Sequence, residues 1–415
     1  MTVRRSAAAL AATAVLCVAA APAALAAPSP APAIPEGLYG KTDPTYDGVW
    51  RQSFALLAQD TVGLKPAPGA VSWLTGQQCA NGAFASFRAD AAKACDAKTM
   101  LDSNATAAAV QALAALGGQD AAVKKGVDWL KSVQNADGGW SYSPGSPSDA
   151  NSTSVVIGAL AAAGVKPGDV KSKAGTSALD GLLPFQLGCA AKGADRGAFA
   201  YQPDKDGKLA ANADATAAAA LAGLGKNAVV SPAGSDEPVT VPECPAGAKG
   251  AADAPTAAVG AAYYLAEALK KDGHLTAVTP GSDKPVADVG NTADAVIALA
   301  AGGHAGAARG AFAWLEKNAG EWAKGSPAGL GTLVLAAHAM GEDPKSFGGT
   351  DLVAALNATG PAPQAAAATA APEKKEEEKD EDSASGDSSK WWVIGSFAVA
   401  GIGIGFLLSG RKKKH

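Results

Sequence analysis

The 415-residue sequence is 48% hydrophobic, 18% charged and 6% aromatic, and its 35 basic and 39 acidic side chains leave a formal charge of −4. It has no clustered basic field to meet phosphates, which excludes nucleic acid as a partner, and it is too apolar for a disordered chain. The 49 glycines show no triplet period, so collagen is excluded; the length allows two or three domains or one large repeat array.

In chain order, residues 1–26 read as a signal peptide. Arg4 and Arg5 precede an Ala/Val/Leu run, and Ala24 and Ala26 supply the small residues a signal peptidase requires, predicting cleavage after Ala26. Cys17 follows Leu16 rather than a small residue and is read as part of the apolar run, not as a lipidation site. Residues 27–43 form a short lead-in.

Residues 44–359 repeat. One element is a polar cap followed by a nearly all-apolar run: DSNATAAAVQALAAL from Asp102, DANSTSVVIGALAAAG from Asp149, NADATAAAALAGLG from Asn212 and VGNTADAVIALAAGG from Val289. GSPAGLGTLVLAAHAMG from Gly325 and TYDGVWRQSFALLAQ from Thr45 are looser copies. Asn, Asp, Ser and Pro favour helix starts and Gly favours helix ends, and a helix apolar on every side must be buried on every side. These are predicted inner helices.

The alternating element is amphipathic. In AAVKKGVDWLKSVQ, Val123, Val127, Leu130 and Val133 share one face, while Lys124, Asp128 and Lys131 point away from it. Related stretches begin at Ala70, Thr176, Thr256, Gly306 and Gly349, giving six predicted outer helices. Five of the six are followed by a Gly-containing turn with an aromatic residue or Leu shortly after it: CANGAFASF, NADGGWSYS, GADRGAFAY, KDGHLTAV and NAGEWAKGS.

Beyond the body, residues 360–390 pass from a Pro/Ala segment into EKKEEEKDEDSASGDSS, the composition of a disordered stalk. Residues 391–409 carry no charge and are followed by a basic tail at 410–415. At ~1.5 Å per residue they span about 28 Å, close to a bilayer core of ~30 Å, predicting a single transmembrane helix with the body outside the cell.

WLKSVQNADGGWSY resembles the QW-type repeat of the prenyltransferase/squalene cyclase family. The resemblance implies an all-α fold, an (α/α)6 toroid of six inner and six outer helices. That family also includes the helical domain of intrinsic factor-type cobalamin carriers, so the resemblance is compatible with many activities.

The residue requirements of its catalytic branches are not met. The body has no DxDD cluster for alkene protonation and few aromatics on its inner helices; His274, His304 and His338 have no cysteine placed to share zinc; Cys189 lacks the glutamine of a thioester. No catalytic residue, metal site or cofactor is therefore assigned. The four body cysteines Cys79, Cys95, Cys189 and Cys244 allow three disulfide pairings, and the local one, Cys79–Cys95 with Cys189–Cys244, is expected.

A polar ring remains at the predicted inner-helix N-termini: Asp102, Asn104, Thr106, Asn151, Thr153, Asn212, Asp214, Thr216, Asn291, Thr292 and Asp294. Capping accounts for the first polar position of each copy, while the later ones are candidates for a ligand-facing rim. The expected function is extracytoplasmic capture of a small molecule, cobalamin-like or isoprenoid, with a separate lid or transporter protein as partner. The alternatives are a terpenoid cyclase or prenyltransferase-type enzyme, and a structural envelope protein.

Overall fold

The computed structural model describes residues 34–365, apart from 189–190, 233–235, 244–249 and 279–283. The predicted signal peptide, most of the stalk, the transmembrane segment and the basic tail lie outside the described residues, as do Cys189 and Cys244. The chain divides into two units, Met1–Ala366 and Ala367–His415, and all of the description below belongs to the first. Among the described residues no helix is long and apolar enough to cross a membrane.

The described residues are mostly helical. Six helices start where the apolar repeats predict: α1 (Gly48–Thr61), α3 (Ser103–Leu116), α5 (Ala150–Ala162), α6 (Ala213–Gly223), α8 (Val289–Ala301) and α11 (Pro327–Met340). Between them lie α2 (Pro68–Gly76), α4 (Asp120–Ser132), α7 (Ala254–Asp272), α9 (Ala305–Asn318) and α10 (Gly320–Ala323), and α12 (Leu352–Asn357) follows the last. Two minimal antiparallel pairs complete the fold: β1 (Phe84–Ala85) with β2 (Leu101–Asp102), and β3 (Thr276–Val278) with β4 (Pro285–Ala287).

The packing order of the first six is cyclic. α1 packs on α3, α3 on α5, α5 on α6, α6 on α8, α8 on α11, and α11 returns to α1. Alanine makes this possible, because small side chains let helix axes approach closely. Ala107, Ala109 and Ala112 of α3, Ala159 of α5, Ala219 of α6 and Ala295 of α8 are wholly buried. Helices of the other set pack on their own hairpin partners: α2 on α1, α4 on α3, α7 on α6, α9 on α8 and α12 on α11. In α4, Val127, Trp129 and Leu130 are buried, while Lys124 and Asp128 face solvent and pair at 2.6 Å. That is the amphipathic division its sequence predicts.

One predicted outer helix is corrected. Residues 176–187 form turns and a single 3₁₀ turn, Leu183–Phe185, rather than an α-helix. Pro184 removes a backbone donor in the middle of the stretch and disfavours helical geometry at Leu183. Gly181 is also pressed against the backbone of Gly138, where a Cβ would come within 2.4 Å. The segment is tied to α7, since Gln186 Nε2 donates to Ala257 O at 2.9 Å. The last predicted turn, NAGEWAKGS, contains the short helix α10.

A repeated joint ties four of the five turns to the apolar helix that follows. The carbonyls of Trp140, Phe199 and Leu275 accept from the backbone N–H of Asp149, Asn212 and Asp288, each at 2.9 Å, and Phe84 pairs with Asp102 through β1–β2. Trp140 is fully buried and donates its indole N–H to Leu130 O at 2.7 Å. Gly138 makes this turn possible: its φ is +89°, and a Cβ there would lie 2.5 Å from Ser177 O. The expected disulfide Cys79–Cys95 is present, with Cα atoms 5.6 Å apart.

Candidate ligand cavity

The polar ring resolves into three roles set by position along each helix. The first position caps. Asp102 accepts from the N–H groups of Asn104 and Ala105 at 2.8 and 2.9 Å, and Asn212 from that of Ala215 at 2.8 Å. Asp149 accepts from Ser152 at 2.7 Å, Asp288 from Asn291 at 3.0 Å and Ser326 from Gly329 at 3.1 Å. Each bond satisfies a first-turn donor that would otherwise be orphaned.

Four residues after each of four caps stands a threonine, and the structure corrects its expected place on a ligand-facing rim. Thr106, Thr153, Thr216 and Thr292 are fully buried. Their Oγ1 atoms accept from the backbone N–H of Phe84, Trp140, Phe199 and Leu275 at 2.9, 3.0, 2.9 and 3.0 Å. The hydroxyls of Thr106, Thr216 and Thr292 donate back to the cap carbonyls. They complete the turn-to-helix joint and do not line the cavity. Asn291 is not on the lining either, and its Nδ2 donates to Asp288 Oδ2 at 2.7 Å.

The position two residues after the cap faces inward. Asn104 of α3, Asn151 of α5 and Asp214 of α6 line one cavity of about 240 Å³. In α8 that position is Gly290, whose missing Cβ leaves room for the ring of Trp322 at 3.3 Å. The inward polar group there comes one turn later, from Asp294. Asn151 donates its Nδ2 to Asp214 Oδ2.

Other lining residues lie further along the same helix faces and were not among the sequence candidates. Trp50 and Phe54 of α1 are stacked with centroids 4.8 Å apart. Gln111 lies seven residues beyond Asn104 and Ser154 three beyond Asn151, while Leu221 lies seven beyond Asp214. This i, i+3, i+7 stripe is the signal that would have revealed them. Lys226 belongs to the far end, beyond the C-terminus of α6, and its Nζ donates to Ala301 O at 2.6 Å.

The cavity carboxyl groups are hard to ionise. Burial pushes the Asp214 carboxyl up, the Asn151 bond opposes this, and the charges of Asp288 and Asp149 push it further. Asp294 is pushed up to about 7, chiefly by burial and then by Asp214 and Asp288. The Asp102 and Asp149 caps are also raised by burial, against the hydrogen bonds they accept. Three polar atoms of lining residues have no partner among the described residues: Asn104 Oδ1, Asn151 Oδ1 and Ser154 Oγ. Among the described residues no group of three or more His, Cys, Asp or Glu side chains is placed to hold a metal ion.

No protein-family model matches the chain, and no curated protein is significantly similar to it. A solved structure described as a protein from Actinoplanes aligns at 15% identity over 75% of this chain and 95% of that one, with a TM-score of 0.46.

Proposed function

We propose that the chain is an exported, membrane-anchored α/α toroid that captures a small organic molecule in the cavity between its inner helices. The cyclic packing order of α1, α3, α5, α6, α8 and α11 supports the toroid reading. The leader at 1–26 and the uncharged stretch at 391–409 support export and anchoring. A lid or transporter supplied by a separate protein would complete the pathway.

The observation that carries the binding reading is the set of unpartnered atoms Asn104 Oδ1, Asn151 Oδ1 and Ser154 Oγ on one cavity wall. Folded proteins pair the great majority of their buried polar groups, and leaving one unpaired costs about 1–3 kcal/mol. Water or a ligand must satisfy these atoms, and the stacked Trp50 and Phe54 on the same cavity favour an organic ligand. At about 240 Å³ the cavity lies below the usual ligand-site range of roughly 300–1,000 Å³. It suits a compact ligand or a short isoprenoid chain, whereas a corrinoid would have to sit outside it, at the mouth.

The test is to denature the purified full chain and identify released small molecules by mass spectrometry, beside an Ala218→Phe variant that fills the cavity. A compound released by the native chain and absent from the variant is the expected result. Equal release from both, or none from either, removes the reading.

Asp294 favours a second reading. A carboxyl about half protonated at neutral pH, lining the same cavity as Trp50 and Phe54, is a general acid within reach of an isoprenoid alkene bound there. A cyclised product from a polyprenol, lost in Asp294→Asn, would establish that chemistry in place of simple capture.

A further inference from the structure

Acceptor atoms gather at the capped end of the cavity: two amide oxygens, a hydroxyl that can also donate, and two carboxyl groups. Asn151 commits one of its two amide N–H groups to Asp214, a carboxylate that can only accept while ionised, and its Oδ1 is buried without a partner among the described residues. Asn104 Oδ1 is buried with no donor among the described residues. The Ser154 hydroxyl also lacks a partner, on a residue only 5% exposed. Among the described residues none donates a hydrogen bond to the Asp294 carboxyl.

The local charge points the same way. Asp288 and Asp149 act on Asp214, and Asp214 and Asp288 act on Asp294, so each cavity carboxylate sits in the field of other carboxylates. Inner-helix N-termini would ordinarily favour an anion at this end. Here first-turn N–H groups are already taken by Asp102, Asp149, Asn212, Asp288 and Ser326. Lys226 stands at the opposite end, engaged with Ala301 O.

The remaining wall is apolar or aromatic. Trp50 and Phe54 present ring surface of the kind that attracts a cation, and Ala217, Leu221 and Ile297 offer only hydrocarbon. From the unpartnered acceptors, the clustered carboxylates and the aromatic pair, we infer that the ligand is a protonated amine on a compact apolar body. Its N–H groups are donated to Asn104 Oδ1, Asn151 Oδ1 and the carboxylates of Asp214 and Asp294. The inference rests on the reading of this cavity as a ligand site.

Calorimetric titration of the full chain with cyclohexylammonium chloride and with cyclohexanol tests it, because the two probes have nearly the same shape and differ in charge. The expected result is that the ammonium binds and the alcohol binds about tenfold more weakly or worse. The double variant Asp214→Asn/Asp294→Asn should lose that preference without a lower melting temperature. Equal binding of the two probes overturns the amine assignment and leaves the cavity a site for neutral molecules. An ammonium affinity unchanged in the double variant overturns it as well. Binding of neither probe at millimolar concentration also overturns it, and the mass-spectrometric release experiment then decides separately whether the cavity binds anything.

Discussion

Asn151 and Asp214 stand at equivalent places in consecutive inner helices, each two residues after its cap, and the amide of one donates to the carboxylate of the other. Among the described residues this is the hydrogen bond that holds the Asp214 carboxyl down against burial and its acidic neighbours. Asn151→Ala should therefore raise the Asp214 pKa further, and carbon-detected NMR titration of the carboxyl reads the shift. An unchanged or lowered value would show that the bond does not form in solution.

Asp294 makes stability depend on pH in a direction opposite to most carboxylates. Its folded-state pKa of about 7 lies above the ordinary aspartate value of about 3.9 in the unfolded chain. Between those values the folded state holds more protons, so its contribution is full below about pH 4 and is lost as pH rises toward 7. Asp214 from α6 and Asp288 ahead of α8 are the charges that act on it. Asp294→Asn should stabilise the protein at pH 8 on the order of 2 kcal/mol, with a smaller gain at pH 4.5. Urea unfolding at the two pH values measures both.

The threonine joints should matter for stability and not for ligand binding. Thr216→Val keeps the shape but leaves the buried Phe199 N–H without its acceptor. A loss of about 1–3 kcal/mol is expected, with Thr216→Ser recovering most of it. Thr153→Val should behave alike through Trp140. Cyclohexylammonium affinity, measured on the folded variants, should stay at the native value.

The Cys79–Cys95 bridge closes a loop with a sequence separation of 16. On the chain-entropy view its reduction should cost about 3 kcal/mol, visible as a lower melting temperature in reductant and in Cys79→Ser/Cys95→Ser. Peptide mapping without reductant should recover the 79–95 crosslink, and it tests the expected Cys189–Cys244 pairing in the same experiment.

Much of the architecture is legible in one dimension because the signals are local. A cap residue, a glycine stop and a run of alanines define a buried helix wherever they occur, and six starts could be read within a few residues from Asp102, Asp149, Asn212 and their counterparts. Pro184 was equally visible in the 176–187 stretch, but the alternation of elements outweighed it, and the structure shows the local rule prevailing. Which polar side chain faces the cavity was a different kind of question. Asp102, Asn104 and Thr106 are spaced so closely that composition cannot rank them. Their roles as cap, cavity group and joint follow from how far α3 is rotated about its axis once its neighbours press on it. Long-range packing sets that rotation, and it also brings Asp214 and Asp294, eighty positions apart in the chain, onto one cavity and into each other's field.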